Sequence, residues 1–317
     1  MELIEIEAIV AIAAAGSFTR AAAALHLSQP AISRRVDLLE REFGAPLFDR
    51  IPTGARLTEA GEAFLPHAHR ALAAVRDAAA AVDALRAGDR GTVTIAIVGT
   101  LASTDLTARL VAFRRSHPDV HLELRTARSD EVSALVRRGE VALGLRYFLD
   151  PAEAILSTPV SEEELVVVCA GSSDLSGVEP WTTTDLPTSA PQAAVGRCGE
   201  INPATLAGRA WVAFPLDAGS SGEPFARVLE RRLASAGLAD SGRIVVDSLT
   251  AQKRLIEAGF GLGLLPASAV DEELRLGSLR RLPIPALETT VPVVLLTRRD
   301  GYLSPATRRL IAVLTAP

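Results

Sequence analysis

The chain has 317 residues, of which 48% are hydrophobic and 22% charged, so it is too long for one small domain and supports two or three modules with substantial cores. Its net charge of −5 gives no indication of nucleic-acid binding through bulk charge. No apolar run approaches the roughly 18 residues of a membrane helix, and the start Met1-Glu2-Leu3 is not a signal peptide, so we expect a cytoplasmic protein without a membrane partner. Cys169 and Cys198 lack metal-binding spacing, and reduced thiols are the expectation in the cytosol.

Two helices are predicted at the start of the chain. The first covers residues 2–15, and Gly16 ends it. Its apolar residues recur at helical spacing: Leu3, Ile6, Ile9, Val10 and Ala13. Ser17 fits the N-cap of a second, alanine-rich helix that runs to about Leu25, where His26-Leu27 breaks the pattern.

A third helix is predicted from the N-cap Ser28, with Pro30 in its first turn, and should stop before Gly44. Its apolar residues form one buried stripe: Ile32, Val36 and Leu39. Its exposed flank carries side chains that suit the DNA major groove, since Gln can read adenine, Arg can read guanine and Ser can hold phosphate. These are Gln29, Ser33, Arg34 and Arg35. The pattern predicts a helix-turn-helix whose second helix is the recognition helix, although such helix pairs are also common in all-α domains.

Residues 47–58 are predicted to form a small β-wing. Pro52 and Gly54 mark its tip, and Arg50 and Arg56 flank it. Arginines on a wing beside a recognition helix contact phosphates or the minor groove. The first 60 residues hold six arginines against eight aspartates and glutamates, so the case for DNA depends on where the arginines lie.

Three short segments give the first 65 residues a family resemblance. Ser-Gln-Pro-Ala-Ile-Ser from Ser28, Pro-Leu-Phe-Asp-Arg from Pro46 and Leu-Thr-Glu-Ala-Gly from Leu57 together closely resemble the LysR-type transcriptional regulators. The rest of the chain matches more loosely, in layout and in the segment 249–266. The resemblance implies a homodimer that reads a dyad-symmetric site on double-stranded DNA. It also implies pairing of effector domains into a homotetramer, and a small organic effector that modulates promoter binding.

Eight residues of the DNA-binding domain, 1–58, are predicted to contact DNA. Bases are contacted by Gln29, Ser33 and Arg34. Arg35 is shared between a base and a phosphate. The phosphate backbone is held by Ser28, Arg50 and Arg56, and Pro30 lies among them in the first turn of the recognition helix.

Residues 59–90 are predicted to form a long linker helix and a hinge. Thr58 caps the helix, and between 59 and 87 only Gly61 and Pro66 interrupt its composition. Its apolar residues fall at spacings of three and four: Leu65, Ala68, Leu72, Val75, Ala79, Val82 and Leu85. A seam this long needs a partner. We favour a second copy of the chain, and packing on its own domain is the alternative.

Residues 91–317 are predicted to form an α/β effector domain. They open in the order βαβαβ, which indicates a parallel sheet, with strands at 92–98, 120–125 and 141–145 and helices at 106–116 and 129–138. Further strands are predicted at 164–170, 210–214, 243–246, 261–265 and 291–297, and further helices at 223–236, 250–258 and 305–314. Two crossings of the chain divide the domain into lobe I (91–161 and 267–317) and lobe II (162–266). This is the two-lobed, periplasmic-binding-protein-like fold that the resemblance implies.

An effector cleft is predicted between the lobes, because ligands of parallel α/β sheets bind at the carboxyl ends of strands and against helix N-termini. The residues at those places are Thr100, Leu101, Ser103, Thr104, Ser129, Arg146, Pro215, Ser220, Ser221, Asp247 and Ser248. Many hydroxyl groups and Arg146 favour a small anion, often a carboxylate. Each Ser or Thr could instead be a plain N-cap, and Asp247 could favour an amine or a hydroxyl on the ligand.

Two other classes of protein were weighed. An enzyme is disfavoured because the five histidines show no metal spacing and the chain has no nucleophile elbow or phosphate loop. We therefore predict no catalytic residue, no cofactor and no metal site. A solute-binding protein without a DNA role is the alternative for residues 91–317 alone, and the missing signal peptide and the N-terminal helix-turn-helix count against it.

Overall fold

The computed structural model describes residues 1–52, 54–87, 90–102, 104–173, 201–216 and 224–316. Within these stretches, the chain forms an N-terminal helical module with a β-hairpin, one long helix, and an α/β domain with two groups of strands. The predicted fold class, an all-α winged module followed by a two-lobed α/β effector domain, is confirmed.

The N-terminal module consists of three helices and a hairpin: α1 (Leu3–Ala15), α2 (Phe18–Ala24), α3 (Gln29–Phe43), β1 (Phe48–Ile51) and β2 (Gly54–Leu57). The predicted caps are present, because the Ser17 Oγ accepts the Arg20 N–H at 3.5 Å and the Ser28 Oγ accepts the Ala31 N–H at 3.3 Å. Apolar side chains from all three helices and from β1 meet in one core, which includes the predicted stripe of α3: Ile32, Val36 and Leu39.

Two backbone features fix the shape of this module. His26, in the turn between α2 and α3, has φ 54°, a left-handed conformation that His tolerates better than most side chains. Gly54, at the start of β2, has φ 144°, and a Cβ there would lie 2.2 Å from the Gly16 carbonyl oxygen. The next residue, Ala55, donates its N–H to that oxygen at 3.0 Å. The hairpin is therefore held against the end of α1, and only glycine fits at position 54.

The long helix α4 (Glu59–Ala87) has two different surroundings along its length. Its first half packs on α1, where Ile6, Ala68 and Leu72 form one buried cluster. In its second half, Val75, Val82 and Leu85 are 46%, 51% and 87% exposed. The apolar residues in the first half of α4 therefore pack on the chain's own N-terminal module, which was the alternative to pairing with a second copy. Those in the second half remain exposed.

The effector domain begins with β3 (Gly91–Val98), α5 (Thr104–Ser116), β4 (Val120–Ala127), α6 (Ser129–Arg138), β5 (Leu143–Tyr147) and β6 (Ile155–Ala170). It continues with β7 (Trp211–Ala213), α7 (Pro224–Ser235), β8 (Arg243–Val245), α8 (Leu249–Glu257), β9 (Gly263–Pro266), α9 (Ala267–Leu276), β10 (Leu279–Leu282), β11 (Thr289–Arg298) and α10 (Pro305–Thr315). In the first group of strands, β3 lies between β4 and β5 and is parallel to both, as the βαβαβ pattern predicts.

Strand β6 joins the two lobes. Its first half pairs with β11, which also pairs with β5 in lobe I. Its second half pairs with β9 and β10 in lobe II, where β7 and β8 are parallel to each other and Trp211 bridges to Leu262 beside β9. The sequence predicted only residues 164–170 of this strand. The first half of β6 is half-exposed and contains Pro159, so its strand conformation depends on pairing with β11 rather than on its own pattern.

Helix α9 and strand β10 were not predicted, and they lie with lobe II. Val270 of α9 packs in one buried cluster with Val166, Leu265 and Leu279. The boundary drawn at residue 267 from the sequence places this segment in lobe I. In the structure the chain returns to lobe I along β11, whose pairing runs from Thr289 opposite Leu165 to Arg298 opposite Ile155.

No single helix in the described stretches has the length and apolar character needed to cross a membrane. Helices α1 and α2 pass that test only when they are taken together, across a bend of 118°. Both helices supply buried side chains to the core of the N-terminal module.

The middle of α4 contacts lobe I at the carboxyl end of α6. Ala73 is fully buried there, and a Cβ on Gly139 would lie 3.0 Å from the Ala73 Cβ. Arg76 donates a hydrogen bond to the Arg138 carbonyl oxygen. The linker helix is thus in direct contact with lobe I, in addition to its covalent connection to β3.

We expect this contact to weaken in acid because of His69. Burial is the largest cause that lowers the pKa of His69. The positive charges of Arg138, Arg76 and Arg137 lower this pKa further, and the negative charge of Glu140 raises it. The folded chain therefore binds fewer protons here than the unfolded chain, whose His titrates near 6.5, so the stability that neutral His69 provides is present above that pH and is lost as the pH falls below it.

Thermal denaturation at pH 7.5 and pH 5.5 tests this expectation. His69→Gln should reduce the fall in midpoint between the two pH values. His67→Gln, a change of an exposed histidine on the same helix, should leave that fall as it is in the parent. An unchanged fall in His69→Gln would contradict the assignment.

Candidate DNA interface and effector cleft

The first turns of α3 present the predicted base-contacting side chains on the surface. Gln29 and Arg34 are exposed, while Ser33 and Arg35 are half-buried. The Gln29 Nε2 donates to the Ser33 Oγ at 3.0 Å, so these two side chains, one helical turn apart, are held together. The structure thus places all four residues in the first two turns of α3 and brings two of their side chains, Gln29 and Ser33, into contact.

The residues predicted to hold phosphates lie on α3 and on the hairpin. Ser28 and Pro30 are exposed at the start of α3, where the Ser28 hydroxyl already caps the helix. The Arg56 side chain is 73% exposed on β2. Arg50 pairs with Ala55 in the hairpin, and its side chain lies outside the described part of the structure.

Several acidic side chains of the N-terminal module form hydrogen bonds or ion pairs with other groups of the same module. The Glu40 Oε1 accepts the N–H groups of Leu47 and Phe48 at 2.6 and 3.2 Å, which fixes the start of the hairpin relative to α3. Glu42 pairs with the Met1 amino group at 2.5 Å. Asp49 is an acidic residue that pairs with a predicted DNA-contacting side chain, because its Oδ2 lies 3.6 Å from the Arg56 Nη2 on the adjacent strand. If Arg56 contacts a phosphate as the sequence predicts, this carboxylate would compete with the phosphate for it.

Removing that carboxylate is expected to strengthen DNA binding. Asp49→Asn should tighten binding to any DNA sequence by about 1.4- to five-fold at low salt, since exposed ion pairs are worth roughly 0.2–1 kcal/mol. Glu7→Gln, which makes the same charge change on the exposed surface of α1, is the matched control and should have little effect. Fluorescence anisotropy with labelled duplexes measures both, and equal gains for the two variants would show a bulk-charge effect instead.

An interlobe cavity of about 440 Å³ lies at the carboxyl ends of β3 and β4. Lobe I and lobe II both line it: Val98, Gly99, Thr100, Thr126, Ala127, Arg128, Phe214, Asp247, Ser248, Leu249 and Thr250. Three of the predicted effector residues, Thr100, Asp247 and Ser248, are among them. Arg128 and Asp247 give the cavity one positive and one negative side chain. The charges alone therefore do not decide between an anionic ligand and an amine.

Two buried hydroxyl groups near this cavity have no hydrogen-bond partner among the residues that the structure describes. Thr100 and Ser129 are 7% and 5% exposed, and neither Oγ is bonded. Thr100 lies in the short 3-10 helix Gly99–Leu101 after β3, and Ser129 is the first residue of α6 after β4. A buried hydroxyl without a partner costs roughly 1–3 kcal/mol, so both are suited to bind a polar ligand atom.

The other predicted effector residues lie elsewhere. Leu101 lines a separate small cavity inside lobe I with Leu106 and Leu145. Arg146 pairs with Asp150 at 3.1 Å and donates to the Ser133 Oγ at 2.7 Å, and it lines a neighbouring cavity.

Pro215 follows Phe214, which lines the 440 Å³ cavity. Thr104 begins α5, but its side chain is outside the described part. Ser103, Ser220 and Ser221, like Cys198, lie outside the described residues.

The cavity is also lined by Thr126, Arg128 and Phe214, which are absent from the predicted effector residues. Arg128 lies in the segment 127–129 that follows the predicted second strand, but only Ser129 was selected there. Thr126 is in β4, which the prediction ended at Arg125, two residues before the strand ends. Phe214 was assigned to a strand, whereas β7 ends one residue earlier.

Two family models match the chain. Residues 3–62 match the bacterial regulatory helix-turn-helix protein, lysR family, and residues 86–316 match the LysR substrate binding domain. The chain belongs to the LysR family. The resemblance seen in the sequence is confirmed, and the chain is a LysR-type DNA-binding transcriptional regulator with an effector-binding substrate domain. The helix-turn-helix match decides against the solute-binding alternative.

Relatives of this LysR chain match along nearly their whole length. A probable RuBisCO transcriptional regulator of Porphyra purpurea is 30% identical over 94% of this chain and 88% of its own. The crystal structure of CbnR, a LysR family transcriptional regulator, has a TM-score of 0.62 at 25% identity and covers 99% of this chain and 98% of that one. Full-length CbnR complexed with its target DNA has a TM-score of 0.61 at 24% identity, with 99% of both chains covered, and this second likeness shows the fold alone.

Proposed function

We propose that this LysR chain reads a dyad-symmetric promoter site by laying α3 in the major groove, with the hairpin as the wing. The observation that carries the proposal is the exposure of Gln29 and Arg34 in the first two turns of α3, with the half-buried Ser33 hydrogen-bonded to Gln29. Ser28 and Arg56 hold the phosphates on either side of that end, and Arg35 is shared between a base and a phosphate. We assign Arg50 and Pro30 to the same surface.

The dyad requires two copies of the chain, and we propose that α4 joins them. Val75, Val82 and Leu85 form an exposed apolar stripe on the second half of α4, and the alanines between them permit close helix approach. Two copies that pair along this stripe carry two recognition helices to adjacent half-sites.

We further propose that effector domains pair to give a homotetramer. Among the described strands β4 pairs with β3 alone, so it lies at the edge of the sheet, and most of its residues are exposed, including Leu124 at 45%. Val111 on α5, the helix that precedes β4, is exposed at 36%. An exposed apolar edge of this kind is suited to a second copy.

We propose that the effector occupies the 440 Å³ interlobe cavity. The unpartnered hydroxyls of Thr100 and Ser129, the Arg128 side chain and the start of α6 favour a small carboxylate. A ligand that touches both lobes binds one arrangement of them better than another, and this difference shifts the population of the dimer. Ser248 and Asp247 contact the ligand from lobe II.

The relatives found are regulators, and we propose that this chain likewise has no enzymatic activity and acts in the cytoplasm, where promoter DNA is reached. Hydroxyl-radical footprinting on the DNA upstream of its gene tests the reading of a dyad. Two protected patches about one helical turn apart, related by symmetry, are expected. A single unsymmetric patch would contradict it. A thermal-shift screen of small carboxylates against small amines tests the cleft separately, and stabilisation by amines alone would overturn the carboxylate assignment.

A further inference from the structure

We propose that Asp77 is a positioning residue that fastens the linker helix to lobe I and so sets the orientation of the DNA-binding module on the effector domain. Asp77 lies in the stretch 63–85, between the segments that match the two family models. Asp77 therefore lies outside both the helix-turn-helix segment and the substrate-binding segment.

Both carboxylate oxygens of Asp77 are used across this contact. The Oδ1 accepts a hydrogen bond from the Arg298 Nη2 at 2.6 Å, and the Oδ2 accepts the Tyr302 N–H at 3.2 Å. The Asp77 and Arg298 side chains are 22% and 18% exposed, so the ion pair is largely shielded from water. A charge pair with a further hydrogen bond in such a setting is stronger than a surface salt bridge.

The Arg298 side chain is held in place by two glycines. A Cβ on Gly139 would lie 3.2 Å from the Arg298 Cζ, and a Cβ on Gly301 would lie 3.1 Å from the Arg298 Nη2. Gly139 also ends α6 with φ 66°, a conformation that favours glycine. The guanidinium thus lies between two backbone segments of lobe I and presents its Nη2 to the linker helix.

The rest of the contact lies on the same face of α4. Ala73, one turn before Asp77, is buried against Gly139, and Arg76 donates to the Arg138 carbonyl oxygen. Val75 and Val82 take no part in this contact, and both apolar side chains are exposed. The helix can therefore be fastened to lobe I and still offer its apolar stripe to a second copy.

The contact between α4 and lobe I couples the movement of the DNA-binding module to that of lobe I. The first half of α4 packs on α1 and the middle is fastened to lobe I, so the recognition helix and lobe I move as one body while the Asp77–Arg298 pair is intact. A change in the spacing of the two DNA-binding modules then requires either release of this pair or movement elsewhere in the assembly.

Hydrogen exchange measures the contact in the full-length chain. Asp77→Arg should raise exchange about tenfold in α4 residues 73–85 and leave β3 and β5 of lobe I unchanged, a pattern that general unfolding would not give. Adding Arg298→Asp to Asp77→Arg should restore most of the protection. Asp83→Arg, at an exposed acidic residue of the same helix, should leave exchange in residues 73–85 unchanged.

Asp77→Asn is the milder variant if the arginine prevents folding, and it should raise exchange in the same residues of α4. Equal exchange in residues 73–85 with and without Asp77→Arg, or failure of the added Arg298→Asp to restore protection, would overturn the proposal.

Discussion

Replacing Arg34 by alanine is expected to remove most of the discrimination between operator and scrambled DNA. A guanidinium that contacts a guanine through two hydrogen bonds is worth about 1–3 kcal/mol of discrimination, which corresponds to roughly five- to 150-fold. Arg34 is exposed on α3 beside the joined Gln29 and Ser33 side chains. Affinity for the operator should fall toward the affinity for scrambled DNA, which changes little.

Arg56→Ala is expected to behave differently, because we assign Arg56, on the wing, to a phosphate contact. It should weaken binding to both DNAs about equally and reduce the slope of log affinity against log salt by about one. Arg41→Ala is the matched control, since the Arg41 Nε donates to the Asp37 carbonyl of its own helix at 3.0 Å. Gel-shift titrations with both duplexes separate these outcomes, and equal losses of preference in Arg34→Ala and Arg56→Ala would contradict the assignment.

Glu40→Ala is expected to give the largest loss of stability in the N-terminal module. The Glu40 carboxylate is half-buried and accepts two backbone N–H groups, those of Leu47 and Phe48. Hydrogen bonds to charged groups are worth about 1.5–3 kcal/mol each, and the two amides would be left without a partner, so we expect a loss of roughly 2–4 kcal/mol. The hairpin should lose its fixed position on α3, and DNA binding should weaken with it.

Thermal denaturation and gel-shift titration of the Glu40 variant measure both effects. Glu40→Gln keeps a carbonyl acceptor and should lie between the parent and Glu40→Ala. Glu42→Ala removes an exposed carboxylate two residues away and should cost less than 1 kcal/mol. If Glu42→Ala destabilises the module as much as Glu40→Ala does, the loss comes from charge on α3 and not from the hairpin contact.

Local signals in the sequence were sufficient for the N-terminal module. Ser17, Ser28, Gly16 and Gly44 act on the residues within one turn of them, so the ends of α1, α2 and α3 follow from the sequence to within about two residues. The βαβαβ order of lobe I follows for the same reason, because strand and helix periodicities are local properties.

Features that depend on distant residues could not be predicted in this way. The Asp77–Arg298 pair joins residues 221 positions apart, and neither residue stands out in its own segment. Thr100 and Asp247 line one cavity only because β3 and α8 face each other across the lobes. Arg146 illustrates the opposite case, because its position past a strand suggested a ligand contact, whereas its guanidinium is bonded to Asp150 and Ser133.

Fluorescence-anisotropy titration of the full-length chain against the DNA immediately upstream of its gene, in parallel with scrambled DNA and over a salt series, tests the reading of DNA most directly. Specific binding that survives moderate salt is the expected result, because the base contacts that we propose for α3 would supply part of the affinity and would not depend on released counterions. Weak binding that is the same for both DNAs and disappears as salt is added would contradict the assignment of α3 as the recognition helix for that site.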